Sequence, residues 1–266
     1  MSFLGAWLVS EYVYNADGSF AGVVRQRRQL QRLANGNVQV WQWPEPGPEL
    51  AGHPMSEFTG ERVFELQVDG RARRYLGPEV IGTGLAWGEG AMTGRGVWPR
   101  FGHNFTSFSV MPNPAKQVTG GKFFNASEIV ANIIGLAIPE TEGATWPEFA
   151  GPHWPGEASE QWIGTCRRVG GDGAVQSEQP VTRRYTATGW QDDEGNALTL
   201  DGRRASGLVE GIFKRLGWAL EIEAVASPAQ TVSALEILAG PDLIGLWTRR
   251  MDDMIEHVEV LHLRPR

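Results

Sequence analysis

A histidine and an asparagine flanked by phenylalanines form the polar pair best suited to chemistry in this sequence. His103 and Asn104 lie between Phe101 and Phe105. Alternate side chains of a strand share a face, so His103 would point the same way as both phenylalanines, into an aromatic interior. There it can act as a general acid or base near neutral pH. We take His103 and Asn104 as the candidate catalytic residues; the alternative is that His103 begins a strand and caps a loop.

Three arginines on one predicted strand are suited to binding an anionic group of a ligand. Arg25 lies on the same strand as Arg27 and Arg28, and because Arg27 and Arg28 are adjacent, they point to opposite faces. A guanidinium group binds a carboxylate or phenolate through charge-assisted hydrogen bonds. The alternative is that these arginines are solvated and pair across the sheet with Glu61 or Glu65.

Several aromatic side chains could form the walls of a site for a flat or aromatic ligand. The alternative is that they are core residues. The predicted ligand-binding residues are Tyr12, Arg25, Arg27, Arg28, Trp41, Trp43, Glu65, Trp87 and Phe105.

Motifs for metal, nucleotide or covalent chemistry are not found. The histidines show no His-x-x-x-His spacing, and His257 and His262 would point to opposite faces of a strand, so no metal site is expected. The run 120–122 is Gly-Gly-Lys but Phe123 follows it, which rules out a phosphate loop. The single Cys166 has no neighbouring base to activate it. We therefore expect no metal and no cofactor.

Composition narrows the class of protein. The chain has 266 residues, 41% of them hydrophobic and 21% charged, which is typical of a globular protein. Its net charge of -7 argues against a nucleic-acid partner. No apolar run is long enough to span a membrane, and no signal peptide is recognisable. With one cysteine, the expected location is the cytoplasm, and a homodimer is left open.

The predicted elements are short strands. Asp17-Gly18 separates two runs rich in Val, Leu and Tyr, which is a strong hairpin signal. Further short apolar runs are separated by glycines, with about eight such runs in each half of the chain. This spacing predicts an all-β protein built as antiparallel barrels or sandwiches.

The two halves of the chain begin alike. Trp7 precedes Asp17-Gly18 by ten residues, and Trp162 precedes Asp172-Gly173 by the same ten. Each turn is followed by a strand-like run with an arginine pair, Arg27-Arg28 in one half and 183–184 in the other. Such self-similarity indicates an internal duplication.

A second repeated pattern suggests that the halves also end alike. The pattern Gly-apolar-Trp-x-Arg occurs at 96–100 and again at 245–249. Each copy leads into a β-rich run that stops at a proline, Pro114 or Pro265. We therefore expect the two segments to occupy equivalent places in two similar lobes.

A helix and a linker are predicted between the lobes. Asn125 is a good N-cap with Glu128 at the third helical position, and the apolar run 129–134 follows. The segment 138–161 is rich in proline and contains Trp146 and Trp154. The predicted organisation is a barrel lobe at 1–120, a helix and linker at 121–160, and a second barrel lobe at 161–266.

The start of the chain resembles a known family. Gly5-Ala6-Trp7 is similar to the Gly-x-Trp signature of the lipocalin and calycin barrels, in which an arginine covers the tryptophan; Arg100 or Arg249 could supply it. The doubled pattern resembles the two-lobed lipocalin-like proteins related to carotenoid hydratases. The resemblance implies lipocalin-like barrels with a cavity for a small, mostly apolar ligand.

Three functions are compatible with these features. The first is a cofactor-independent lyase, hydratase or isomerase that transforms a small hydrophobic or aromatic molecule by acid/base chemistry. The second is a carrier or sensor of such a molecule, including a haem-type ligand held by one histidine. The third is an interaction protein whose tryptophans serve only the core and an interface.

Overall fold

Two closed antiparallel β-barrels make up the fold. A computed structural model of the protein describes residues 3–149, 160–252 and 254–266. The chain divides into two compact units, Met1–Glu148 and Phe149–Arg266, and each contains a closed barrel of ten strands. The all-β, two-barrel prediction is confirmed, and the architecture fits a two-lobed lipocalin-like fold.

The first barrel is an up-and-down sheet in which each strand pairs with the next and β10 closes on β1. Two short 3₁₀ helices, Pro48–Leu50 and Pro54–Glu57, lie between β3 and β4. The strands are β1 Gly5–Tyr14, β2 Phe20–Arg32, β3 Val38–Pro46, β4 Arg62–Asp69, β5 Ala72–Leu76, β6 Ile81–Ala86, β7 Ala91–Trp98, β8 His103–Asn113, β9 Lys116–Asn125 and β10 Glu128–Pro139.

The second barrel repeats this topology, with β20 closing on β11. Its interior is a cluster of buried apolar side chains that includes Trp162, Trp190 and Trp247. The strands are β11 Glu160–Gly170, β12 Val175–Thr186, β13 Gly189–Asp192, β14 Ala197–Asp201, β15 Arg204–Gly207, β16 Glu210–Leu216, β17 Ala219–Ser227, β18 Gln230–Ala239, β19 Asp242–Met251 and β20 Met254–Pro265.

The helix predicted after Asn125 is wrong. Residues 125–128 form the turn of the β9–β10 hairpin, and Ala126 there has a φ of 52°. The run 129–134 contains three isoleucines and a valine, which favour a strand, and it pairs with β9 and β1. Residues 121–139 therefore complete the first barrel. Of the predicted linker, Trp146 is partly buried and Trp154 lies outside the described residues.

The two Gly-apolar-Trp-x-Arg segments do not occupy equivalent places. Trp98 is the last residue of β7, the seventh strand of its barrel, whereas Trp247 lies in β19, the ninth strand of its barrel. A five-residue pattern in a sequence with 11 tryptophans recurs without common ancestry of the two copies. Arg100 is largely exposed and pairs with Glu79 at 2.8 Å rather than covering Trp7.

No helix in the described part of the chain is both long and apolar enough to cross a membrane.

Gly121 allows β8 and β9 to approach closely, which gives the first prediction. Its φ is +155°, and a Cβ atom there would collide with the backbone oxygen of Thr106. We expect Gly121→Ala to lower the free energy of unfolding by about 2 kcal/mol or more. Gly36→Ala is the control, because Gly36 also has a positive φ but nothing lies within 4 Å of its Cβ position. Urea denaturation of both variants tests this, and equal losses would contradict the steric explanation.

Candidate functional site

The first barrel contains a cavity of about 140 Å³. A buried apolar cavity of about 150 Å³ is known to bind benzene. The volume therefore suits a molecule with one or two rings. It is too small for a haem, since even pockets for drug-sized ligands measure about 300–1,000 Å³.

Aromatic rings form one side of this cavity. Trp98 is central, with ring centroids 5.4 Å from Phe58, 5.7 Å from Phe64 and 5.9 Å from Phe105. The contacts with Phe58 and Phe64 are edge-to-face, the arrangement that aromatic pairs prefer. The apolar residues that line the cavity are Leu30, Val40, Phe58, Phe64, Leu66, Met92, Trp98, Phe105, Phe123 and Ile133.

An ion pair forms part of the polar side. Glu11 on β1 and Arg28 on β2 line the cavity, and Nη2 of Arg28 donates a hydrogen bond of 3.3 Å to Oε1 of Glu11. Gln26 also donates to this carboxylate. Burial raises the pKa of Glu11, and Arg28 and Gln26 oppose that effect only in part. The cavity therefore contains a carboxyl group that binds a proton more readily than an exposed glutamate.

Three polar atoms of the cavity wall have unused hydrogen-bonding capacity. Oε1 of Gln26, Oε1 of Gln42 and Nε of Arg28 are buried and have no hydrogen-bond partner among residues 3–149, 160–252 and 254–266. Gln26 is only 1% exposed. A buried polar atom without a hydrogen-bond partner lowers the stability of the fold. A ligand that forms a hydrogen bond with one of these atoms would therefore gain binding free energy.

Hydroxyl groups complete the polar side. Burial raises the pKa of Tyr75, and a hydrogen bond with Ser107 opposes the shift, so its phenol stays neutral. Ser109 and Thr119 are 3.2 Å apart between their hydroxyl oxygens, and Thr119 also donates to the backbone oxygen of Phe108. Hydroxyl groups both donate and accept, so this part of the wall adapts to either kind of ligand atom.

The connection between β3 and β4 supplies one aromatic side chain of the cavity wall. It carries Phe58, whose ring contacts Trp98 and Phe123 and lies 4.4 Å from the guanidinium carbon of Arg62. Arg62 donates to Glu79 at 3.4 Å, which ties this connection to the segment between β5 and β6. Phe58 is therefore held in place by edge-to-face and tilted ring contacts and by the guanidinium of Arg62, which is itself paired with Glu79.

Two of the predicted binding residues, Arg28 and Phe105, line the cavity. Arg25 and Arg27 lie on the outer face of β2 and pair with Glu148 and Glu140, at 3.9 and 3.2 Å. The alternation along β2 thus places Arg27 and Arg28 on opposite faces, as the sequence predicted, and it places Arg25 with Arg27.

The structure does not bring the remaining predicted binding residues into the cavity. Trp41 and Trp43 alternate with Val40 and Gln42, which line it, and so lie on the outer face of β3. The others also lie outside it: Tyr12 contacts Phe20, Glu65 accepts hydrogen bonds from Asn35 and Asn37, and Trp87 donates to Thr93.

The predicted catalytic pair lies beside the cavity and does not line it. His103 is the first residue of β8, and its ring packs edge-to-face on Phe101 at 4.4 Å. Asn104 is exposed. The structure therefore places His103 where the structural alternative put it, at the beginning of a strand.

Sequence reasoning missed the polar residues that matter most here, Glu11, Gln26 and Gln42. Each has inward-facing neighbours two positions away, such as Val9 and Val13 on either side of Glu11. A polar residue in the apolar phase of a strand was the available signal.

The second barrel holds a buried ion pair of its own. Arg183 donates to Glu236 at 2.6 Å, and Glu236 also accepts from Trp247 at 3.1 Å and from Tyr185 at 3.2 Å. The Arg183 guanidinium lies 3.8 Å from the ring centre of Trp190. Burial disfavours the charge, but Tyr185 and Glu236 outweigh it and raise the pKa of Arg183.

Other reactive groups do not form a site in the described parts of the chain. No cluster of three or more His, Cys, Asp or Glu side chains that could hold a metal ion occurs there. Burial raises the pKa of Cys166 to about 11, so its thiol stays protonated at neutral pH and is a poor nucleophile.

Comparison with known proteins supports the fold. No protein-family model matches the chain, and no curated protein matches it. A solved structure of a protein of unknown function from the DUF3598 family of Nostoc punctiforme is similar, with 12% identity and a TM-score of 0.60 over 99% of this chain and 96% of that one. A transferrin-binding protein B mutant of Haemophilus parasuis aligns over 100% and 76% of the two chains, with 7% identity and a TM-score of only 0.21. The Nostoc likeness extends over both barrels and concerns the fold alone.

Proposed function

We propose that the first barrel binds a small, largely hydrophobic or aromatic organic molecule in its cavity. The observation that carries this proposal is the cavity itself, which combines an aromatic wall around Trp98 with buried, unpartnered polar atoms on Gln26 and Gln42. Small-molecule sites are mostly apolar, with a few placed polar groups that fix orientation. A purely structural core would fill this volume with side chains.

A catalytic role is the second candidate, and the carboxyl group of Glu11 favours it. Its raised pKa and its place in the cavity wall suit a general acid or base. If this second candidate function holds, the protein is a cofactor-independent lyase, hydratase or isomerase, and Glu11 rather than His103 transfers the proton. A relation to carotenoid hydratases, a cytoplasmic location and a homodimer remain proposals from the sequence.

Filling the cavity should abolish binding. Val40 is buried and lines the cavity, so Val40→Phe is expected to place a ring in the space that a guest would occupy. Ligand-observed NMR with toluene and indole as probes should show at least tenfold weaker binding to the variant than to the unaltered protein.

The control is Thr83→Phe, which adds similar bulk at an exposed position of β6. It should bind both probes as the unaltered protein does. Binding that survives in a folded Val40→Phe variant would rule out the cavity as the site, and native mass spectrometry of freshly purified protein would identify a molecule that co-purifies.

A further inference from the structure

The two barrels share a framework that allows position-by-position comparison. Trp7 is opposite Arg28 in the first barrel, and Trp162 is opposite Arg183 in the second. On the other side, Trp7 is opposite Pro139 and Trp162 is opposite Pro265. These pairs fix the register of β1, β2 and β10 against β11, β12 and β20.

Continuing this register around the barrel aligns Gly121 with Trp247. Gly121 is opposite Ile133, six residues before Pro139, and Trp247 is opposite Glu259, six residues before Pro265. Gly121 lines the cavity of the first barrel, whereas Trp247 belongs to the core of the second. The second barrel thus has an indole ring at the position where the first barrel has a glycine, Gly121, and therefore no side chain.

The surroundings of the Trp247 side chain show which kind of ring fits beside Arg183, the arginine that corresponds to Arg28. The ring of Trp247 lies 5.8 Å from the guanidinium carbon of Arg183 and 6.1 Å from the ring of Trp190. Its N–H group donates to the Glu236 carboxylate. In this barrel framework, an aromatic ring is therefore stable beside a guanidinium group when the N–H group of the ring donates to a nearby acceptor.

The buried charged residues of the two barrels indicate that a ligand of the first barrel is neutral. By the same register, Ser109 corresponds to Glu236, because Ser109 is opposite Thr119 and Glu236 is opposite Gly245. The first barrel supplies its carboxylate from Glu11 instead. Arg28 and Arg183 therefore each pair with one carboxylate already. An anionic ligand in the first barrel would be repelled by the buried carboxylate of Glu11.

Two of the three unpartnered polar atoms of the cavity wall are acceptors and the third, Nε of Arg28, is a donor, so the acceptors favour a ligand that donates a hydrogen bond. The amide nitrogen of Gln26 donates to Glu11, which leaves Oε1 of Gln26 as an acceptor facing the cavity. Oε1 of Gln42 is a second buried acceptor that has no partner within the part of the chain that the structure describes.

We propose that the ligand of the first barrel is a neutral, planar aromatic molecule with an N–H or O–H donor, of the indole or phenol class. This inference rests on the proposed binding function. The ring is placed beside Arg28 as Trp247 lies beside Arg183, whereas its donor is placed on a glutamine oxygen, because Ser109 stands where the second barrel has Glu236.

Three probes of similar shape test the ligand class by calorimetry. Indole should bind at least tenfold more tightly than benzofuran, which has an oxygen acceptor in place of the N–H donor. It should also bind at least tenfold more tightly than indole-3-carboxylate, which adds a negative charge. Equal or tighter binding of either analogue would overturn the ligand class while leaving the cavity as a binding site. Failure of all three probes to bind would instead count against the proposed function.

Variants of the polar wall provide an independent test. Glu11→Gln removes the carboxylate from Arg28, so indole-3-carboxylate should gain at least tenfold in affinity, and Glu11→Gln/Arg28→Gln should not show this gain. Gln26→Leu, which removes one acceptor together with the hydrogen bond that Gln26 donates to Glu11, should reduce the preference for indole over benzofuran. If anion affinity is unchanged in folded Glu11→Gln and the preference is unchanged in Gln26→Leu, the inference is wrong.

Discussion

Replacing Glu236 with alanine is expected to lower the free energy of unfolding of the second barrel by about 3–5 kcal/mol. Glu236 is fully buried and accepts hydrogen bonds from Arg183, Tyr185 and Trp247. Without it, the Arg183 guanidinium stays buried with no carboxylate to neutralise it. The loss therefore reflects an uncompensated charge more than the missing contacts.

Hydrogen exchange in urea, followed by mass spectrometry of peptides from 160–266, measures this loss for the second barrel alone. The control is Glu178→Ala, because Glu178 pairs with Arg167 at the surface and such a pair contributes less than about 1 kcal/mol. Arg183→Met/Glu236→Leu should recover most of the stability, since an apolar pair can replace a buried ion pair. A cost for Glu236→Ala no larger than that for Glu178→Ala would contradict this account.

The sequence predicted the architecture because the signals for it are local. The Asp-Gly turns mark hairpins, and the equal spacing from Trp7 and Trp162 to those turns indicated two similar halves, which agrees with the two ten-strand barrels. The structure gives that spacing a physical meaning, because each tryptophan is opposite an arginine of the following strand, Arg28 or Arg183.

The helix prediction failed because local capping signals competed with tertiary pairing. Asn125 and Glu128 do have the spacing of a capping box, but the same residues can form a hairpin turn. The β-branched run 129–134 gains partners on both sides within the barrel, and no local rule reveals those partners.

The inner wall was harder to predict because alternation divides a strand into two faces without saying which is inside. On β3 the larger side chains, Trp41 and Trp43, suggested the cavity wall, yet Val40 and Gln42 face the interior. Aromatic side chains such as Trp98 line other parts of the cavity, but on β3 the inward side chains are the smaller Val40 and Gln42, which leave the interior open. Residue size therefore pointed to the wrong face.

Removing the indole of Trp247 should both destabilise the second barrel and create a binding site in it. Trp247 is 1% exposed, and truncating a buried tryptophan to alanine costs about 3–5 kcal/mol, part of it for the cavity left behind. In the Trp247→Ala variant, Glu236 also loses one of its hydrogen-bond donors. Exchange of 160–266 peptides in urea measures this cost.

Indole added to Trp247→Ala should recover part of the lost stability, because it restores the ring and its N–H donor. At ten times its dissociation constant, indole would stabilise the barrel by about 1.4 kcal/mol. The first barrel of the unaltered protein is expected to bind indole too, so the recovery must be read from 160–266 peptides. Val232→Ala is the control, because it removes a smaller buried side chain of the same core and leaves no space for a ring.

The rescue experiment links the two barrels through one physical argument. Gly121 and Trp247 occupy corresponding register positions, so Trp247→Ala makes the second barrel resemble the first at that point. If indole protects the second barrel of this variant and benzofuran protects it less, the framework accepts a neutral ring with a donor beside its arginine. If indole protects Trp247→Ala no more than Val232→Ala, then the indole of Trp247 is ordinary core packing. In that case the position of the Trp247 side chain gives no information about the ligand of the first barrel.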